Sequence, residues 1–267
     1  MKYFHENRKY NDNLKISCGI SKNLEFQAHY HNDIEIFCVI KGKTNIGINA
    51  EIIELSVGDT AFISGGDIHY YQKPLENYES IMLIISRELV DAEIRNELSS
   101  VIIDKSRSAD IRHLMEAVLK EKNEKKDRYD LICKNYIGLI VLNILRGKDD
   151  FQNIGKLAGH GSTMKKFQDM LEFIDNNYEN PLKLSDAAEL MHYSTWYFSK
   201  FFKKLTGTSF IKYINQKKVT KAKQLIKENE LNFTNISSLC GFENIRTFNR
   251  EFKLVTGKTP KEYRQSI

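Results

Sequence analysis

Four residues in the first part of the chain carry donors that could hold a metal ion or a polar ligand: His29, His31, Glu35 and His69. Imidazole nitrogens with a carboxylate form a set that suits divalent transition metals. His29, His31 and Glu35 are spaced by even numbers of residues. On an extended backbone such residues turn to one face, and His69 would join them from a neighbouring strand. The same residues would equally serve as the polar lining of a small-molecule site. Outside these four positions no acid, base and nucleophile set stands out, so the chain reads as a non-enzyme.

Strands must carry such a cluster. Short apolar runs separated by glycine and asparagine predict strands at 14–20, 34–40, 44–48, 61–64 and 81–85, a spacing that suggests a small sandwich or barrel over residues 1–85. Helical periodicity appears next, at 86–98, 110–123 and 129–145. The apolar faces of that region, 86–146, are wide and must be covered, at least in part by packing on the outside of the barrel. Residues 147–162, with several glycines and mixed charge, read as a linker. A length of 267 residues agrees with more than one domain.

The last part of the chain contains a near-repeat: FSKFFKKLTG, Phe198 to Gly207, returns as FNREFKLVTG, Phe248 to Gly257. In each copy phenylalanines recur at i and i+4, one face of a helix, and a glycine closes it. Upstream, His192 answers Gly241 at the end of a shorter helical stretch. Both suit the positive φ of a tight turn, and Ser194 is a good N-cap for the helix after it. Two helices joined by such a turn make a helix-turn-helix, whose second helix enters the major groove. No acidic residue occurs between Glu189 and Glu228, a stretch with nine lysines. Residues 163–267 carry 18 Lys+Arg against 11 Asp+Glu, net +7, and the remainder −2, which sums to the +5 of the whole. That asymmetry is the footprint of a nucleic-acid module joined to something else.

The run Ile236, Gly241, Phe242, Phe248, Arg250, Phe252, Lys253, Gly257, Thr259, Pro260, Tyr263 and Arg264 resembles the AraC/XylS family of transcription regulators, with Ser237 where that family usually has alanine. The resemblance implies seven helices over 163–267, two helix-turn-helix units and a long joining helix at 211–228, with Ile211, Ile214, Val219, Ala222, Leu225 and Ile226 as its buried stripe. It implies DNA contacts from Thr195, Trp196, Ser199, Lys200 and Lys203 in the first unit and Ile245, Arg246, Asn249, Arg250 and Lys253 in the second. By chemistry, Arg246 and Arg250 suit guanine, Asn249 suits adenine, and Lys203 and Lys253 suit phosphates. Trp196, the only tryptophan, sits where a helix would meet bases or thymine methyl groups.

His29, His31 and Glu35 with Gly42, then Gly58 and His69, resemble the two motifs of the cupin barrel, with Ser64 where the second usually has proline and without its closing asparagine. The expected architecture is therefore multidomain α and β: a cupin-like sensor barrel with flanking helices, then an all-α domain. The resemblance implies a small effector at His29, His31, Glu35 and His69 rather than a resident cofactor, with a divalent metal at the same residues as the alternative. It further implies double-stranded DNA, a second copy of the chain and RNA polymerase as partners, and activation of transcription. A metal-dependent cupin enzyme with an appended DNA-binding tail is the competing reading. No apolar run is long enough to span a bilayer, and the expected location is cytoplasmic. Cys18, Cys38, Cys133 and Cys240 lack metal-finger or redox spacing and are expected as free thiols.

Overall fold

The computed structural model describes residues 14–154, 161–228 and 230–267, which divide into two units with their boundary in sequence at Thr163. The first unit carries strands β1 (Ile16–Lys22), β2 (Phe26–His29), β3 (Ile34–Lys41), β4 (Lys43–Ile48), β5 (Glu51–Ser56), β6 (Thr60–Ile63), β7 (His69–Tyr71), β8 (Glu79–Ile85), β9 (Val101–Ile103) and β10 (Gln152–Asn153), and helices α1 (Ala92–Glu97), α2 (Ala109–Glu124) and α3 (Tyr129–Gly147). One sheet runs β1-β8-β3-β6-β9-β10 and the other β2-β7-β4-β5, with antiparallel pairing throughout.

Strand β3 shows why its sequence is a nearly unbroken apolar run. Ile34, Ile36 and Cys38 join a cluster with Met115, Val118 and Ile140 of α2 and α3. The alternate residues Phe37 and Val39 join a second cluster with Ile46 and Ile48 of β4. A strand covered on both faces needs no polar position. The five expected strands are present with shifted ends, whereas β2, β5, β7, β9 and β10 are not legible in the sequence, being short or rich in polar residues.

Two expected boundaries fall elsewhere. The helix expected over 86–98 is a 3-10 turn at Arg87–Leu89 and then α1. The break falls at Val90 and Asp91, where the Arg95 guanidinium donates to the carbonyls of Arg87 and Val90. The chain then extends into β9, so the region 86–146 contributes a strand to the larger sheet. The linker expected over 147–162 begins later: residues 152 and 153 pair with β9 and Ile154 is buried. Gly147 ends α3 where a Cβ would lie 2.2 Å from the Phe151 ring. Residues 155–160 lie outside the described residues.

The second unit is helical: α4 (Gly161–Asn177), α5 (Leu184–Leu190), α6 (Thr195–Thr206), α7 (Phe210–Glu228), α8 (Phe233–Leu239), α9 (Ile245–Thr256) and α10 (Pro260–Gln265). The repeated phenylalanines Phe198, Phe202, Phe248 and Phe252 are fully buried. In the first copy they pack on Phe210 and Tyr213 of α7, and in the second on Phe242 and Tyr263. Fully burying one such side chain stabilises by about 1.5 to 3 kcal/mol. The stripe expected on α7 needs correction at Ile211, which is exposed; Phe210 and Tyr213 take its place. No helix among the described residues is long and apolar enough to cross a membrane.

Candidate functional site

His29 ends β2, Glu35 is the second residue of β3, His69 opens β7, and His31 lies between β2 and β3. The expectation that His29, His31 and Glu35 share one face of a single extended segment does not hold. The chain leaves the smaller sheet after His29 and enters the larger at Ile34. The four side chains converge all the same, because both sheets turn them inward. Their donor atoms lie within 4.8 Å of one another, and all four residues are buried.

Each imidazole is oriented by the backbone. The Nδ1 atoms of His29, His31 and His69 lie 2.9, 3.0 and 3.0 Å from the carbonyls of Gln27, Asp33 and Asp67. A carbonyl only accepts, so Nδ1 must carry the proton in all three rings. In the neutral imidazole this leaves Nε2 as a bare lone pair. His31 Nε2 is 3.0 Å and His69 Nε2 3.5 Å from the same Glu35 oxygen, Oε2. At 3.5 Å the second contact is too long for a good hydrogen bond, and His69 Nε2 has no hydrogen-bond partner. Lone pairs and a carboxylate oxygen therefore face one another unless a proton or a cation sits between them.

The other Glu35 oxygen, Oε1, accepts from the Tyr71 hydroxyl, so the carboxylate presents one oxygen to the cluster. Sequence reasoning misses Tyr71, although it shares the strand parity of His69. Burial pushes His29 well below the ordinary imidazole range, and the other two histidines add to this. Burial alone would raise Glu35, yet the imidazoles of His31 and His69 beside it outweigh burial and hold the carboxyl well below its usual range. For His69, burial acts downward but the Glu35 carboxylate prevails and raises it.

In the second unit two helix pairs repeat: α5 with α6, and α8 with α9. His192 has φ 56° and Gly241 φ 75°, so the turn needs the left-handed region in both copies and only one uses a glycine for it. Ser194 accepts from Tyr197 N at 3.2 Å and Asn244 from Thr247 N at 2.9 Å, the N-caps of α6 and α9. With the phenylalanine faces buried, the opposite faces point outward. Thr195, Trp196, Lys200, Lys203, Ile245, Arg246, Asn249, Arg250 and Lys253 are all exposed and Ser199 is half-buried. Lys200 Nζ sits 4.0 Å from the centroid of the Trp196 ring, and Trp196 is 66% exposed.

The lysine stretch is not uniformly available. Lys217 is buried against Asp175, Lys218 donates to the Gly241 carbonyl at 2.5 Å, and Lys221 reaches Glu179 and the Leu239 carbonyl. These three tie α7 to its neighbours. Lys200, Lys203, Lys204 and Lys212 remain outward.

Residues 187–266 match the family described as helix-turn-helix domain, and residues 17–139 match the AraC-like ligand binding domain. The multiple antibiotic resistance protein MarA of Escherichia coli is 35% identical over 97 residues, 36% of this chain and 76% of MarA. The chain belongs to the AraC/XylS family of transcription regulators. This AraC-type regulator is also 28% identical over 189 residues to the regulatory protein PocR of Salmonella typhimurium, a stretch that spans 70% of the chain and 58% of PocR. Among solved structures, fatty-acid-bound ToxT of Vibrio cholerae is similar over 96% of this chain and 97% of its own, with a TM-score of 0.49 and 12% identity. The regulator thus joins a helix-turn-helix DNA-binding domain to a ligand-binding domain.

Proposed function

We propose that this regulator binds a specific operator through both recognition helices, α6 and α9, and that a divalent transition metal ion in the barrel controls that binding. Two outward faces, each behind a capped turn and a buried phenylalanine stripe, carry the DNA reading. Sequencing the genomic DNA the protein captures tests it: two half-sites about one helical turn apart are expected, and an unstructured set of sequences would end the proposal.

The orientation of the imidazoles supports the metal reading. Three Nε2 lone pairs and one carboxylate oxygen converge, each ring held by a backbone carbonyl in the tautomer that ligates through Nε2. Ligand atoms about 2.1 Å from a common ion lie at most about 4.2 Å apart, so the widest pair, at 4.8 Å, must close by roughly 0.6 Å. An ion there would supply the positive charge that the facing lone pairs lack. His29, His31, Glu35 and His69 would hold it, tying β2, β3 and β7 together. Metal analysis of the purified protein is the test: one equivalent lost on His31→Ala is expected, whereas metal-free protein after zinc or nickel reconstitution would leave an organic effector as the ligand.

The chain acts without catalysis in this reading, and it works in the cytoplasm where its DNA lies. A second copy is the natural partner of α3. Leu131, Leu139 and Leu142 are exposed on it, a Cβ at Gly138 would meet open space, and an antiparallel two-fold crossing there sets Asp130 opposite Arg146. Sedimentation of wild type and Leu139→Glu tests this. Contact with RNA polymerase and activation are tested by run-off transcription from a captured promoter.

A further inference from the structure

The hydrogen bonds that orient the histidine cluster continue to the last strand of the barrel. Gly66 N donates to the His31 carbonyl at 2.8 Å, and His69 donates to the Asp67 carbonyl at 3.0 Å, so the turn at 64–67 touches both rings' supports. That turn has no slack, since a Cβ on Gly65 would lie 2.3 Å from the Asn32 carbonyl. Its far side is held by Ser100, which is fully buried. The Ser100 hydroxyl donates to the Asp67 carboxylate at 2.5 Å and accepts from Ser64 N at 2.9 Å. The Ser100 carbonyl in turn accepts from Ile154 N at 3.0 Å.

Ile154 ends the described part of the first unit, and the chain passes from it towards the DNA-binding unit. The attachment there is slight: β10 is two residues long at the edge of its sheet, both exposed, and only Ile154 is buried. Elements held by so few contacts open most readily. A ligand that fixes His31 and His69 also fixes the 64–67 turn, and through it the residue to which β10 is tied.

We propose that Ser100 couples the histidine cluster to β10, so that occupancy of the barrel sets how firmly the segment leading to the DNA-binding unit is docked. This rests on the metal reading above, and the two fail differently. Full-length wild type, Ser100→Ala and Tyr71→Phe are assayed for zinc binding by calorimetry, and for binding to a duplex the protein selects from a random pool, with and without zinc. In wild type zinc is expected to shift DNA affinity by about 5- to 150-fold, the usual span of coupling between sites. Ser100→Ala is expected to bind zinc within about threefold of wild type while its DNA affinity responds less than about twofold. Tyr71→Phe, which loosens the Glu35 carboxylate, is expected to weaken zinc binding about 10- to 100-fold yet keep the full response at saturating zinc.

Amide exchange in wild type gives a check independent of whether Ser100→Ala folds: zinc should slow exchange at Ile154. If zinc binds and Ser100→Ala responds like wild type, or Ile154 exchange is unchanged, the coupling is wrong and the metal reading stands. If wild type binds no zinc, both fall together.

Discussion

Replacing Arg250 and Lys253 in turn separates reading of bases from grip on the backbone, although the two lie within one turn of α9. Arg250 is exposed but not idle: its Nε and Nη2 lie 2.9 and 2.8 Å from a single Glu251 oxygen. A bidentate contact to guanine uses Nη2 whether the guanidinium approaches end-on or side-on, so the Glu251 pair must be partly given up on binding. Such a contact discriminates by about 1 to 3 kcal/mol, and a solvent-exposed ion pair is worth at most about 1 kcal/mol. Arg250→Ala should therefore cost about 1 to 2 kcal/mol on the selected duplex, roughly 5- to 30-fold. On a scrambled duplex it should cost much less. Lys253→Ala should weaken both duplexes alike and make the slope of log affinity against log salt shallower by about 0.9. Fluorescence anisotropy over about 50 to 200 mM salt measures both effects. Equal losses on the two duplexes for Arg250→Ala would refute its role as a base reader and make it one more phosphate contact.

The two turns give a second contrast. At Gly241 a Cβ would lie 1.9 Å from the Glu179 carbonyl, so Gly241→Ala combines left-handed strain with a backbone clash and should cost about 2 to 5 kcal/mol in thermal or urea unfolding. His192→Gly removes strain from the matching turn and should be neutral or stabilising by up to about 1 kcal/mol; a loss comparable to that of Gly241→Ala would show that the turns are not equivalent. Lys217→Ala leaves the buried Asp175 carboxylate without the side chain it lies against and should cost about 3 to 5 kcal/mol, as for other broken buried pairs, while Lys217→Met paired with Asp175→Leu should recover most of it. Burial raises the Cys18 and Cys240 thiols to about 12. The reactive thiolate form therefore grows with pH up to that value, and native-state alkylation should still be rising tenfold per pH unit between about pH 9 and 10, where an ordinary thiol is levelling off.

How far the sequence carries differs between the two units for a physical reason. In the DNA-binding unit the signals are local: phenylalanine spacing, a capping residue and a residue tolerant of positive φ, all within twenty positions of one another. His192 and Gly241 are recognisable from their matching places, and both have positive φ. In the barrel the decisive pairings are distant. Strand β7 is three residues of histidine and tyrosine, with no apolar alternation, and forms because β2 and β4 flank it. The four ligand-type residues are legible as a set, and His69 does come from a strand beside His29, but the expected reason for the convergence of His29, His31 and Glu35, one extended segment, does not hold: the chain passes from one sheet to the other between them. Tyr71, Asp67 and Ser100 carry no local signal beyond parity, since hydrogen bonds over 33 or 36 positions leave no period in the sequence.

The lysine stretch shows why charge counted along a chain overstates what a ligand can meet. Lys217, Lys218 and Lys221 lie in the acid-free segment, yet each is turned to a carboxylate or carbonyl of the same unit. The lysines still outward near the first recognition helix are Lys200, Lys203 and Lys204, and Lys200 lies over the Trp196 ring. A lysine stacked on an indole keeps its charge while shielding the ring, so DNA entering there must either displace Lys200 or meet ammonium before aromatic surface. The second helix presents Arg246, Asn249 and Arg250, with Glu251 competing for Arg250. The copies therefore differ in the kind of contact they offer as well as in number. If so, Trp196→Ala should change affinity for selected and scrambled DNA by similar factors, while substitutions in α9 change their ratio. A larger loss of discrimination from Trp196→Ala than from Arg250→Ala would reverse that assignment.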